Sequence, residues 1–454
     1  MVKINYPFCS IIILNYFGQK VIKNTIQSLL TLNYPKKFYE IIIVDNCSKD
    51  RSKQIILKFA KKHKLIKTIF LKKNLGFAGG NNEGIKKAKG KYVILLNNDC
   101  IVNNNWLTEL VKTAEKDKNI FSVNSKIFLY PKYFLLKIKY SKKILLDKFY
   151  LYQSNLLKFT NRKKIKLNLS IKKDISQLEI PYDSTNDKKI KIFLSFNKII
   201  ETYNKNSEKI RLINLNKNSY KILTKKETKK TLNYLIEINT NLASSFNKIQ
   251  NAGIFVFQDG YGRDIGSIVK YQNQDYEIDN KQYNKEKEIY ASCGAACLYR
   301  KKILEKIGFL DDSFFMYYED VEICERARFF GYKTLYCPSA TVHHLHALSS
   351  AEWSPFFIYQ SEKGRLLHIL YHFPFKIFLI EYIKFFIKNL LRFIFKSRTI
   401  KQIKNDLQYL KIITYFLINL PILLKKRCQK HKDINKNLIN KNYQTIKEGF
   451  WLFN

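Results

Sequence analysis

Apolar runs separated by polar breaks divide the first 130 residues into a regular alternation. CSIIILNY (9–16) and YEIIIVDNCS (39–48) are short β-branched runs that end in turn formers, which predicts two buried strands. VIKNTIQSLLTL (21–32), RSKQIILKFAKKHK (51–64) and GGNNEGIKKAKG (79–90) carry apolar residues at helical spacing, the last closed by Gly90. TIFLKK (68–73) and KYVILLNND (91–99) supply further strands. Strands alternating with helices predict an α/β fold, a Rossmann-like, mostly parallel sheet flanked by helices. In such a sheet the functional residues lie at the strands' carboxyl ends, where Asp45, Asn74 and Asp99 fall.

The pattern then changes twice. Residues 132–246 contain no glycine and carry 26 basic against 9 acidic residues, which marks an insertion. Its apolar content is too high for a disordered linker, so a mixed or helical subdomain is expected. From 365 onward, PFKIFLIEYIKFFIKNLLRFIFK (374–396) places Lys376, Lys384, Lys388, Arg392 and Lys396 at multiples of four on an otherwise aromatic and aliphatic helix. Those charges forbid a span of ~20 uncharged residues, and IITYFLINLPILL (412–424) is short and interrupted by Pro421. Both fit helices lying in a membrane interface, with packing as ordinary amphipathic helices as the alternative. Four regions follow: 1–131, 132–246, 247–364 and 365–454.

The formal charge of +44, from 81 basic and 37 acidic residues, implies an anionic partner such as a phosphate-bearing ligand or a membrane surface. A Lys, Asn and Ile bias imposed by codon composition accounts for much of the surface lysine equally well. No helix-turn-helix, RNP or zinc-finger pattern occurs, so nucleic acid is not an expected partner. The eight cysteines include no C-x-x-C pair, and the first 16 residues lack a signal-peptide pattern, which together predict reduced thiols and a cytoplasmic location.

Three regions carry candidate chemistry. Asp45 ends a buried strand, where a carboxylate either holds a ribose or base or simply caps a turn. NLGFAGGNNEG, with Asn74 and Gly76, Gly79, Gly80 and Gly84, allows close backbone approach, and the helix starting there offers amides to phosphates; it matches neither a dinucleotide fingerprint nor a P-loop. Asn97, Asn98 and Asp99 end a hydrophobic strand, and one such carboxylate with phosphate oxygens suits a divalent cation. In SFFMYYEDVEICERARFFGYK (313–333), Glu319, Asp320 and Glu322 also fit as first-turn acids of a helix whose buried face is Val321, Cys324 and Ala327.

Taken in order, SIIILNY, IIIVDNCSKD, KNLGFAGGNNEGIKKAKGKYVILLNND and GAACLYRKKILEKIGFLDDSFFMYYEDVEICERARFFGYKTLYCPSATVHH resemble family-2 glycosyltransferases of the GT-A fold, especially the rhamnosyltransferase-like branch. The likeness covers about residues 9–130 and 250–350. It implies that Asn15 and Asp45 contact the nucleotide's ribose and base, that Asn74 and Gly80 lie in the loop beside it, and that Asp99 binds Mg²⁺ or Mn²⁺ bridging the donor diphosphate. Asn97 stands where the family's motif has its first acid. His344 matches a histidine that ligates that metal or contacts the diphosphate, while His343 and His346 fit polar strand-end positions. Asp320 matches the catalytic base of an inverting transfer, with Glu319 binding acceptor hydroxyls or orienting Asp320; Arg300, Asp311 and Asp312 can contact acceptor or close a loop. The Q-x-x-R-W signature of processive synthases is absent, which implies transfer of one sugar or a few. The reading is a hexosyltransferase-type enzyme at the inner face of the cell membrane, taking a nucleotide-sugar donor and a glycan or lipid-linked acceptor for cell-surface polysaccharide. The alternatives are a catalytically inactive sugar- or lipid-binding scaffold and a basic nucleic-acid-binding protein.

Overall fold

The structure, a computed structural model, describes residues 6–130, 245–270, 273–345, 354–395, 400–432, 434 and 436–448, with seven strand segments between 131 and 244. The expected alternation is present. β1 (Cys9–Asn15), β2 (Tyr39–Asp45), β3 (Ile66–Phe70) and β4 (Tyr92–Asn97) form a parallel run in the order β3-β2-β1-β4, with Asn15 opposite Asp45 and Leu14 opposite Asn97. The strands are joined by α1 (Ile22–Leu30), α2 (Ser52–Lys62) and α3 (Gly76–Lys87). Beyond β4 the pairing turns antiparallel. The Ala296–Arg300 strand enters from the opposite direction and lies between β4 and β6 (Ile120–Leu129). β5 (Cys100–Val102) pairs with the long Lys333–His344 strand, His344 facing Cys100. α4 (Trp106–Glu115) links β5 to β6.

Continuous Ile, Val and Leu runs suit strands covered on both faces. Ile12, Val44 and Leu95 point into one core with α3, α5 (Lys301–Ile307), α6 (Glu319–Phe329) and α7 (Pro355–His372). Ile11, Ile13, Ile41, Ile43 and Ile94 point the other way, into a core with α1, α2 and α4 centred on fully buried Trp106. Each such side chain contributes about 1.5–3 kcal/mol on burial.

Residues 129–248 form a second compact unit. No helix occurs among its described residues, contrary to the mixed or helical reading: Lys189–Lys198 lies between Ile144–Tyr152 and Thr231–Asn239, all antiparallel. Its sequence, KIKIFLSFNK, shows why. Ile, Phe and Leu at near-alternate positions favour a pleated strand, and Lys side chains there add no helical stripe. The chain leaves the first unit at Phe128 and returns at Ile249, and these two residues are paired neighbours on adjacent antiparallel strands.

The C-terminal region extends the first unit's core. α8 (Phe375–Phe395) and α9 (Ile400–His431) form a hairpin whose inner residues Phe378, Phe385, Ile412 and Phe416 join the same cluster as α7, and α10 (Lys436–Lys447) adds Ile446. α9 runs continuously through Pro421 rather than stopping there. Lys396 and His346 lie outside the described residues.

α6 is buried on nearly every side, including Glu322 and Glu325, both fully enclosed. Glu325 Oε2 sits 3.0 Å from His368 Nε2, while Oε1 accepts from Asn442 Nδ2 at 2.6 Å. Burial pushes the Glu325 carboxyl up to about 8 and holds His368 well below its ordinary value. A protonated Oε2 therefore donates to a neutral ring, giving both enclosed atoms a partner. The unfolded carboxyl releases its proton near pH ~4.3, so the folded chain binds more protons between there and about pH 8 and its stability falls as pH rises through that window. Glu325→Gln keeps an N–H donor without the ionisation. Thermal melts at pH 8.5 are expected to place the variant several degrees above the wild type, with the gap closing towards pH 4.5.

Candidate active site

The carboxyl edge of the parallel run gathers a dense polar cluster. Asn15, fully buried, donates from Nδ2 to Asp45 Oδ1 at 2.7 Å and to Ser52 Oγ at 3.0 Å, while its Oδ1 accepts from Asn98 Nδ2 at 3.0 Å. Asp45 Oδ2 also accepts from the Ser48 backbone at 3.1 Å, so this carboxylate shapes the turn as well as the cluster. One turn away, Asn74 accepts from Gly76 N at 2.8 Å and from Asn46 Nδ2 at 2.7 Å, which commits its carbonyl oxygen to the loop. Gly80 lies inside α3; a Cβ there would come within 2.5 Å of Leu14, so the glycine brings α3 close against β1.

The amides opening α3 are engaged elsewhere than the glycine-rich pattern suggests. Phe77 and Ala78 donate to the Phe315 carbonyl, and a Cβ on Gly76, whose φ is 74°, would meet that same oxygen. The first turn of α3 is thus fastened to the loop before α6. In that loop Phe315, Tyr317 and Tyr318 all have left-handed backbone, with φ of 63°, 68° and 71°, a costly state for bulky residues that persists where the surroundings impose it.

Asp99 and His344, 245 residues apart in sequence, meet because β5 pairs with the Lys333–His344 strand. His344 Nε2 lies 3.0 Å from Asp99 Oδ1 and 3.4 Å from Asn97 Nδ2. On the other side, His344 Nδ1 lies 2.8 Å from Gln250 Oε1. An amide oxygen only accepts, so Nδ1 donates to Gln250, and Nε2 is the ring atom that faces the carboxylate. A carboxylate oxygen and an imidazole nitrogen brought within 3.0 Å are ligand types that a divalent ion accepts. Cys100 Sγ lies in the same group, but burial raises its thiol well above the ordinary value and it donates to the Ala295 carbonyl. A protonated thiol is a poor ligand for a hard ion. Gln250 has no local sequence signal, because it arrives on a strand beyond the insertion.

Asp320 opens α6 at the same edge. Its Oδ2 accepts from Gly294 N and its Oδ1 from Val321 N, both at 2.9 Å. Gly294 lies next to Ala295, whose carbonyl accepts from Asn97 N at 2.9 Å, so the carboxylate is referenced to the end of β4. Behind it, buried Asn124 accepts from Cys293 N at 2.7 Å and donates to Asn251 at 3.0 Å, and Asn251 donates to Asp264 at 2.8 Å. Asn124 and Asn251 are not among the candidate site residues. Burial raises the Asp320 carboxyl above its ordinary value and raises Glu319 further, Asp320 adding to the latter. Glu319 is 4% exposed and its Oε2 has no hydrogen-bond partner among the described residues, as suits a neutral acid.

Other candidates serve the framework. Arg300 spans the carbonyls of Ala114, Asp117 and Ile120 at the end of α4. Asp311 pairs with Lys426 and Lys430, which hold it down to about 2 against its burial, and Asp312 accepts from Asn82. His343 packs against Phe128.

Residues 10–172 match the family model described as Glycosyl transferase family 2. The poly-beta-1,6-N-acetyl-D-glucosamine synthase of Staphylococcus epidermidis is 33% identical over 108 residues, 24% of this chain and 26% of that protein. The putative teichuronic acid biosynthesis glycosyltransferase TuaG of Bacillus subtilis is 33% identical over 93 residues, 20% of this chain and 36% of that protein. The chain thus spans only about a quarter to just over a third of the length of these two relatives. Residues 1–349 of S. aureus TarS, a solved structure, share 14% identity at a TM-score of 0.40, covering 98% of this chain and 91% of that one. Residues 10–172, which carry Asn15, Asp45, Asn74 and Asp99, are thus the part of the chain that matches this family model, and the part that supplies Asp320 and His344 lies beyond it.

Proposed function

We propose that this protein is an inverting, metal-dependent glycosyltransferase that moves a single sugar from a nucleotide-diphosphate-sugar to a glycan or lipid-linked glycan in cell-surface polysaccharide synthesis. The observation that carries this reading is the convergence, on one sheet edge, of the Asn15–Asp45 pair, the Asp99–His344 pair and the backbone-held Asp320. Asn15 and Asp45, with Asn74 beside them, are the nucleotide contacts, and Gly80 sets the depth of that wall. Asp99 and His344 would hold Mg²⁺ or Mn²⁺ on the diphosphate, with Asn97 alongside; when bound, the ion neutralises charge on the leaving group. Asp320 takes the proton from the acceptor hydroxyl as that oxygen bonds the anomeric carbon, the bond to the diphosphate oxygen breaks and the nucleoside diphosphate departs. Attack opposite the leaving group inverts configuration. Glu319 stays neutral and positions the acceptor or Asp320. Rhamnosyltransferase-like motif order and the basic C-terminal hairpin support an enzyme working at the inner face of the cell membrane.

The test is release of nucleoside diphosphate from UDP-, dTDP- and GDP-sugars with Mg²⁺, Mn²⁺ or EDTA. Metal-dependent turnover of one donor is expected. Asp99→Ala should lower that turnover by about 10²-fold, the scale of losing one group that stabilises transition-state charge, and should flatten its dependence on Mn²⁺ concentration. No turnover and no donor-dependent thermal shift with any sugar would instead leave a non-catalytic binding role.

A further inference from the structure

α8 and α9 are antiparallel and locked along their inner faces. Phe378 packs on Phe416 with ring centres 6.0 Å apart, Tyr382 donates to the Ile413 carbonyl at 3.2 Å, and Arg392 meets Asp406 at 2.9 Å. Their outer faces are apolar yet uncovered. Ile383, Ile387 and Ile394 on α8 are 53%, 49% and 59% exposed, and Leu417, Ile418 and Ile422 on α9 are 63%, 70% and 67% exposed. Spacings of four and seven put the α8 set on one stripe, and on α9 Ile418 and Ile422 are four apart with Leu417 beside them. Exposed Lys384 and Lys388 flank the α8 stripe, and exposed Lys411 and Lys425 lie on α9.

Two adjoining apolar stripes rimmed by lysines need an occupant. We propose that the outer face of the α8–α9 hairpin is an in-plane docking surface for an anionic lipid bilayer, its aliphatic side chains entering the acyl boundary and its lysines meeting the headgroups. Charge selects this occupant over a second copy of the chain. Self-association on this face would bring matching lysines together on two molecules each carrying +44, whereas an anionic surface attracts them.

The orientation follows from what α9 does on its other side. Among the described residues it is the one helix long and apolar enough to cross a membrane by length and composition. Its Ile412, Phe416 and Leu423 are nevertheless buried in the protein core. At its C-terminal end Lys430 lies 2.9 Å from Asp311 and 2.7 Å from Glu322, with Lys426 also on Asp311. A spanning α9 would strand these carboxylates and expose that core, so the helix lies along the surface with only its outer stripe immersed.

Co-sedimentation of the full chain with phosphatidylcholine vesicles, with and without 30% phosphatidylglycerol, tests this without reference to sugar transfer. The chain is expected to bind the anionic vesicles, with binding weakened by salt. Ile383→Glu/Ile387→Glu and, separately, Leu417→Glu/Ile418→Glu should each reduce binding at least tenfold while keeping the wild-type circular dichroism spectrum. Lys384→Gln/Lys388→Gln should erase the preference for the anionic lipid. Alkaline carbonate should strip the bound wild type. Vesicle binding unchanged by either glutamate pair, resistance to carbonate, or a wild-type dimer in lipid-free buffer that the glutamate variants convert to monomer would each overturn the proposal.

Discussion

Asp320→Asn is expected to lower kcat by about 10²–10⁴-fold, the range assigned to a positioned general base, while the dissociation constant for the nucleotide-sugar changes little. Asparagine keeps the size and still accepts one backbone N–H, so the hold from Gly294 or Val321 survives in part and the fold is retained. What disappears is the ability to take a proton. Glu319→Gln gives the contrasting result. Glu319 is buried beside Asp320, and burial together with that neighbouring carboxylate favours its protonated form, which glutamine imitates. Its substitution should cost less than tenfold. The wild-type rate should also fall as pH is lowered through the raised Asp320 value, since protonation removes the base. Single-turnover kinetics with isothermal binding of the donor separate the two roles. Equal losses in both variants would show that the carboxylates act as one unit and refute the assignment.

Arg326→Met is expected to destabilise the protein by about 3–5 kcal/mol, because it removes one partner of a buried ion pair and leaves the other charged. Glu322 is fully enclosed. It receives Arg326 through two contacts at 3.1 and 2.7 Å, with His372 Nε2 at 3.2 Å and Lys430 at 2.7 Å. Those partners, Arg326 first among the charges, hold its carboxyl well below the ordinary range despite burial. Arg326 also donates to the carbonyls of Ile307 and Phe309, which would lose their donor. Glu322→Gln/Arg326→Met should recover part of the loss, since the stranded charge is then gone. Urea unfolding of the two variants measures this, and a single variant within 1 kcal/mol of wild type would contradict it.

The positions of Asn15, Asp45 and Asp99 were legible because each follows an apolar run that only a buried strand explains, and a parallel sheet sends such strand ends to one edge. Local pattern could not show partners that arrive through the sheet. His344 reaches Asp99 only by the register that sets it opposite Cys100, and Gln250 comes from beyond the insertion. The acids of α6 misled for a related reason. Glu322 fits as a first-turn acid favoured by the helix dipole, yet α7, α9 and α10 bring the basic and amide groups that allow it and Glu325 to be buried. The stretches 374–396 and 412–424, which lie in α8 and α9, fit a membrane interface through a lysine stripe on otherwise apolar helices. That stripe describes one side of the hairpin, and the other side closes the core. In the insertion, the absence of glycine and the dense lysines hid a near-alternating pattern that strands satisfy.

The pairing of Phe128 with Ile249 has a consequence for how such a chain arises. Because the excursion begins and ends on neighbouring antiparallel strands, it is topologically an enlarged hairpin turn. Closing a loop of that length costs only slightly more than closing a short one, since the entropy grows with the logarithm of length. A segment of more than a hundred residues can therefore be acquired, exchanged or shed at this point without recutting the elements that position Asp99, Asp320 and His344. What the protein contacts through that segment is free to change while the residues of the polar cluster stay fixed.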